Sequence, residues 1–121
     1  MLVIIWEYKV KKTRITEFEK LYNKQGKWVD LFSEAEGFVD TELIKNTDKD
    51  NVYVTIDRWE SNWRYQAFLE DKRLEYTLLD NDAEKLTLSE RKIGEFTKYE
   101  EIKKLGFELP ESVLTLSKKI S

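Results

Sequence analysis

Hydrophobic and polar positions change period several times along this chain, and each change marks an element. "LVIIWEYKV", residues 2–10, opens almost continuously apolar and closes by alternating, as a central strand covered on both faces should. In "KKTRITEFEKLYNK" the residues Ile15, Phe18, Leu21 and Tyr22 recur at helical spacing, with Thr13 or Thr16 as N-cap and Glu19 three places after the second. Between Gly26 and Gly37, Trp28, Leu31, Phe32 and Ala35 repeat at three and four residues, so a second helical piece follows the first after a break. "GFVDTELIKN" and "NVYVTIDRW" then flank the polar "NTDKDN", whose Asn and Asp side chains suit a turn, which predicts a hairpin.

Ser61 is placed to cap a further helix running to about Leu79, with Tyr65, Phe68, Leu69, Tyr76 and Leu79 on one face and Ala67, Leu74 and Leu78 to the side. "DNDAEKL" reads as a loop or one more turn, and "TLSERKIGEFTKYE" as a last strand with Gly94 as a bulge. The chain divides into a domain over residues 1–99 and a C-terminal extension over 100–121, with a helix after the single proline, Pro110.

The order strand, helix, strand, strand, helix, strand predicts an α+β fold of the ferredoxin-like kind: a four-stranded antiparallel sheet with its helices on one face. The first three strands carry apolar residues at both parities, Val3 and Ile5 against Ile4 and Trp6, Val39 and Leu43 against Phe38 and Ile44, Tyr53 against Val52 and Val54. A monomer leaves one of these faces wet, so a homodimer joined through the sheets is expected.

Composition narrows the chemistry. At 121 residues, 40% hydrophobic and 37% charged, the chain suits one domain with a substantial core. The net charge of −3 is spread as interleaved signs, without the basic block that nucleic acid attracts. No apolar run approaches ~20 residues, and Leu2–Trp6 is too short for a signal-peptide core and lacks a basic start; no membrane partner and a cytoplasmic location are expected. With no Cys and no His, thiolate nucleophiles, disulfides, imidazole bases and the usual zinc and haem ligands are excluded.

Three motif readings fail. The stretch from Asp80 starts like a calcium loop, but Lys85 and Arg91 stand where Gly and Glu are needed, which leaves a solvated acidic loop. "EGFVDTEL" has a Gly-Phe-Val step but neither the basic start nor the strand-three aromatic pair of an RNA-recognition module. The four scattered glycines form no phosphate-cradling loop.

"IIWEYKV", "FEKLYNKQGKWVDLFSEAEGFVDTELIKN", "YVTIDRWESNWRYQAFL" and "LSERKIGEF" together resemble the antibiotic biosynthesis monooxygenase family of dimeric α+β barrel proteins, over Leu2 to Phe96. The resemblance implies one of several activities. For the haem-degrading branch it points to Asn, Trp and His at positions held here by Tyr8, Phe68 and Leu78, so that activity is discounted.

What the resemblance then implies is a cofactor-independent monooxygenase of an aromatic, polyketide-like or quinol molecule, with no metal or flavin. Such a site needs a base, a donor for the developing oxyanion and an apolar cavity for planar rings. Glu7, Asp57 and Tyr8 are the candidates for the catalytic groups, and Trp28, Phe32, Trp63, Tyr65, Phe68 and Tyr76 for the substrate-binding walls. Asp57 and Arg58 are neighbours on a strand, so only one of them faces a given pocket. Glu7 also reads as an ion-pair residue, and Phe68 as core. Trp63 lies about 200° round the helix from Tyr65, outside the main apolar stripe. It lines a side cavity, touches a partner or caps the end of the strand at Trp59. The alternatives to an oxygenase are a small-molecule binding or sensing dimer of the same fold and a purely structural dimer.

Overall fold

Strand β1 (Leu2–Val10) runs through the middle of a four-stranded antiparallel sheet in the computed structural model, which describes residues 1–105. It pairs on one side with β3 (Val52–Trp59) and on the other with β4 (Thr87–Thr97), while β2 (Phe38–Lys45) lies outside β3, giving the order β2-β3-β1-β4. The helices α1 (Ile15–Tyr22) and α2 (Lys27–Ser33) connect β1 to β2, and α3 (Asn62–Asp71) and α4 (Arg73–Glu84) connect β3 to β4. This is the ferredoxin-like α+β arrangement the element order predicts. A short helix, α5 (Tyr99–Leu105), follows β4. The helix expected after Pro110 lies outside the described residues.

Alternation fixes which strand residues face the helices. Along β1 the row Leu2, Ile4, Tyr8 and Val10 is buried, and along β3 so is Tyr53, Thr55 and Trp59. Burying these rows requires rings that interdigitate, and the core is largely aromatic: Phe18 stacks on Tyr22 at 4.2 Å between centroids, and Tyr8 packs against both. At the other end the fully buried Trp59 is surrounded by Phe32, Phe38, Tyr65 and Phe68 at 5.0–5.7 Å. The opposite sheet face carries Val3, Ile5, Val54 and Ile56, with Ile44 and Phe96 nearly half exposed; no described helix covers it.

Several local expectations change. Neither Thr13 nor Thr16 caps α1; Arg14 occupies the cap, with no side-chain cap bond, and its guanidinium pairs with Glu17 instead. Ser61 does cap α3, accepting from the Arg64 amide at 3.1 Å. The single helix expected from Ser61 to about Leu79 is two, broken at Lys72 (φ −106°, ψ 25°), and the second continues to Glu84, so of the two readings of "DNDAEKL" the further turn holds as far as that residue. Polar residues on one side of a helix resemble a loop when the apolar face is thin: Ala83 alone of this last turn is buried. At Gly94 the ladder steps from Ile5↔Gly94 to Trp6↔Lys92, so Ile93 is the extra residue of a bulge beside that glycine. Gly37, at φ +92° between α2 and β2, occupies the left-handed region, and a Cβ there would overlap the Arg64 side chain.

Candidate functional site

A cavity of about 240 Å³ lies between the inner face of the sheet and the helices. Its floor is made by strand residues: Trp6 and Tyr8 from β1, Thr41 from β2, Thr55 and Asp57 from β3, and Glu90 from β4. Its walls and roof are Tyr22 of α1, Trp28 and Phe32 of α2, Tyr65 of α3, and Tyr76, Asp80 and Glu84 of α4. The last three are four residues apart on one helix and so share a stripe. The helix break at Lys72 lets α4 turn that stripe over the sheet independently of α3.

Asp57 is the carboxylate at the centre. It lies opposite Thr41 in the β2–β3 ladder, and Thr41 Oγ1 donates to Asp57 Oδ1 at 2.7 Å. Withdrawal from water raises its pKa to about 6; the Thr41 hydrogen bond opposes the rise and the charge of Asp40 adds to it. A base with that affinity is ionised near neutrality yet holds a proton far better than an ordinary carboxylate. Arg58, its neighbour, points to the outer face, where it pairs with Asp40 at 2.9 Å and Glu42 at 2.7 Å.

Besides the Thr41 hydroxyl bonded to it, the phenols of Tyr8, Tyr65 and Tyr76 lie near enough to feel the Asp57 charge. Tyr8 Oη and Thr55 Oγ1 are hydrogen-bonded at 3.2 Å. Burial pushes the Tyr8 phenol far above its ordinary pKa, aided by Tyr22 and opposed by the Thr55 bond, so it stays protonated and able to donate. Tyr65 is pushed up to about 12, first by burial and then by the charge of Asp57. Burial likewise raises Tyr22 and Tyr76. The Trp28 indole packs edge-on to Tyr76 at 5.1 Å, and its presence beside Tyr22 opposes the rise at that phenol.

Of the residues singled out in the sequence, Asp57, Tyr8, Trp28, Phe32, Tyr65 and Tyr76 meet in this cavity and three do not. Glu7 follows Trp6 and precedes Tyr8 on β1, so it points to the outer face, where Arg91 Nη2 donates to it at 3.3 Å. Phe68 is 2% exposed and packed between Phe32, Trp59 and Tyr76, in the core behind the wall. Trp63 is 67% exposed with the Arg64 guanidinium 4.6 Å from its ring centroid, away from the cavity.

Sequence reasoning missed Trp6, Tyr22, Thr41, Thr55, Asp80, Glu84 and Glu90. The four-residue spacing of Tyr76, Asp80 and Glu84 is a signal that, read as a helix, points all three one way. Asp80 is raised by burial and by Glu84, and Glu90 by burial, then by Asp80 and Glu84, against a weak bond from Thr87 at 3.4 Å. Among the described residues no group of three or more His, Cys, Asp or Glu side chains is arranged to hold a metal ion. No described helix is long and apolar enough to cross a membrane.

Comparison with known proteins places this architecture. The fold matches SnoaB, a cofactor-independent oxygenase from Streptomyces nogalater, at TM-score 0.67 and 23% identity over 80% of this chain and 91% of that one. A mutant form of the same protein matches at TM-score 0.68 and 22% identity, over 81% and 92% of the two chains. A conserved protein from Methanosarcina mazei matches at TM-score 0.62 and 12% identity, over 80% and 91%. These identities bear on the fold alone. No curated protein gives a significant match. The model of the antibiotic biosynthesis monooxygenase family matches residues 1–75, more than half of the sequence, and the chain therefore belongs to that family.

Proposed function

We propose that the protein is a cofactor-independent monooxygenase of an aromatic or quinol small molecule, with Asp57 as the base. The observation that carries this reading is the Asp57 carboxylate, with a pKa of about 6, set among protonated phenols in an aromatic-walled cavity. For a ring-activated methylene, Asp57 takes one C–H proton and leaves a carbanion whose charge is delocalised onto a ring oxygen. Tyr8 is the group suited to donating a hydrogen bond to that oxygen. The carbanion gives electrons to O₂, a C–O bond forms, and protonation yields a hydroperoxide. Loss of water from the hydroperoxide breaks the O–O bond and leaves a carbonyl. The sum is CH₂ + O₂ → C=O + H₂O, with the substrate as the only reductant.

The uncovered sheet face supports a homodimer as the working form. Val3, Ile5, Val54, Ile56, Ile44 and Phe96 form an apolar surface of the kind that marks an interface.

Oxygen consumption by the purified, metal-stripped protein on a panel of hydroquinones, naphthols and anthrones tests the activity, with heat-treated protein as control. Uptake that is lost in Asp57→Asn supports the assignment. Binding of these compounds without uptake overturns the oxygenase reading and leaves a ligand-binding dimer.

A further inference from the structure

The cavity is charged on one side of the ledger only. Four carboxylates line it, Asp57, Asp80, Glu84 and Glu90, and no Lys or Arg does. Every ion pair among the described residues involves other groups, so none of the four is neutralised by a side chain of the described chain. The inward-facing cation on β4, Lys92, is bound to Glu95 at 2.6 Å and is not part of the lining. Asp57 Oδ1 is bonded to Thr41, while Oδ2 receives no hydrogen bond from the described residues.

Asp57 is held from water, and Asp80 and Glu90, each half-buried, are raised by burial and by their acidic neighbours; a cation beside them offsets that cost, while Glu84 stays exposed at the rim. A metal ion does not meet the need, because no three of these groups converge for ligation among the described residues. Apart from Thr41 and Thr55, the remaining lining is made of tryptophan, tyrosine and phenylalanine rings, whose faces attract an organic cation and repel an anion.

We infer that the cavity takes an arylalkylamine in its protonated form: a planar ring system with a side-chain ammonium, the ammonium seated beside Asp80 and Glu90. A cavity of roughly 150 Å³ holds a benzene ring, so 240 Å³ admits about two fused rings. The inference names the substrate class for the reading above and rests on the cavity being a ligand site. It does not require that the ligand be oxidised.

The test is calorimetric titration of the full chain, at pH 7.5 and 0.15 M salt, with three probes of one shape: naphthalen-1-ylmethylammonium, naphthalen-1-ylmethanol and 1-naphthoate. The expected result is that the ammonium binds at least about tenfold more tightly than the alcohol, with no detectable binding of the carboxylate. The double variant Asp80→Asn, Glu90→Gln should bring ammonium and alcohol within about twofold of each other, chiefly by weakening the ammonium. In the unaltered protein the preference should weaken at 0.5 M salt yet stay above about threefold, because Asp80 and Glu90 are half-buried and a close pair there is screened less than one on the open surface. Equal binding of ammonium and alcohol overturns the inference and leaves the cavity as a neutral ring site. A preference that vanishes with salt overturns it too, as attraction to the acidic chain at large. Failure of all three probes to bind overturns the inference and the cavity reading together.

Discussion

Thr41 and Asp57 face each other across the β2–β3 ladder, and the hydroxyl of one donates to the carboxylate of the other at 2.7 Å. That bond favours the ionised acid against the desolvation that disfavours it. Thr41→Val removes it while keeping the shape, so the Asp57 pKa should rise from about 6, by about one unit or more given ~1.5 kcal/mol for a hydrogen bond to a charge. A carboxyl-carbon NMR titration measures this directly. The acid limb of any pH–rate profile should move upward with it.

Asp57 should cost stability at neutral pH. Its folded-state pKa of about 6 lies above the ordinary 3.8, so the folded chain holds the proton more tightly than the unfolded one. Stability from this group is therefore present below pH 3.8 and is lost as pH rises through about 6. Asp57→Asn should be more stable than the parent by about 1–3 kcal/mol at pH 7.5 and equal to it near pH 3.5, as read from thermal midpoints. The same variant should lose about 10²–10⁴-fold in turnover, the usual worth of a general base.

Glu7→Gln should leave turnover unchanged and stability within about 0.5 kcal/mol, since its pair with Arg91 is open to solvent. A loss of turnover comparable to that of Asp57→Asn would return Glu7 to the reacting centre.

Trp63→Phe separates two fluorescence signals. Trp63 is the exposed indole, whereas Trp6 and Trp28 line the cavity and Trp59 is fully buried. The variant should lose most quenching by iodide, keep quenching by an aromatic ligand, and unfold within about 0.5 kcal/mol of the parent.

Ile56→Glu tests the sheet face. Ile56 lies opposite Ile5 in the β1–β3 ladder, among the outward apolar side chains. A dimer closed through this face should become a monomer by light scattering, with the inward-facing cavity still able to bind.

The architecture was legible in the sequence because period and punctuation agreed: alternation in β1 and β3, the "NTDKDN" turn, and Ser61 before the helix all survive in the structure. The cavity was only partly legible, for a physical reason. In β1 both parities are apolar, so alternation tells that Trp6 and Tyr8 share a face and Glu7 does not, without telling which face lies under the helices. Thr41 and Thr55 carry no charge or aromatic ring to draw notice, and their roles arise only from cross-strand neighbours. Asp80 and Glu84 lie in a stretch that reads equally as loop or turn, and they share a stripe with Tyr76 only because α4 continues through them.

The helix break at Lys72 also bears on how such a protein changes over generations. Thr41 and Asp57 are locked on adjacent strands by ladder bonds, whereas Tyr76, Asp80 and Glu84 ride together on one separately oriented helix. On the proposed reading, substitutions along that single stripe alter what the cavity welcomes without moving Asp57. Ligand preference and reactivity would then be inherited on different parts of the chain, and a lineage would be free to exchange the first while conserving the second.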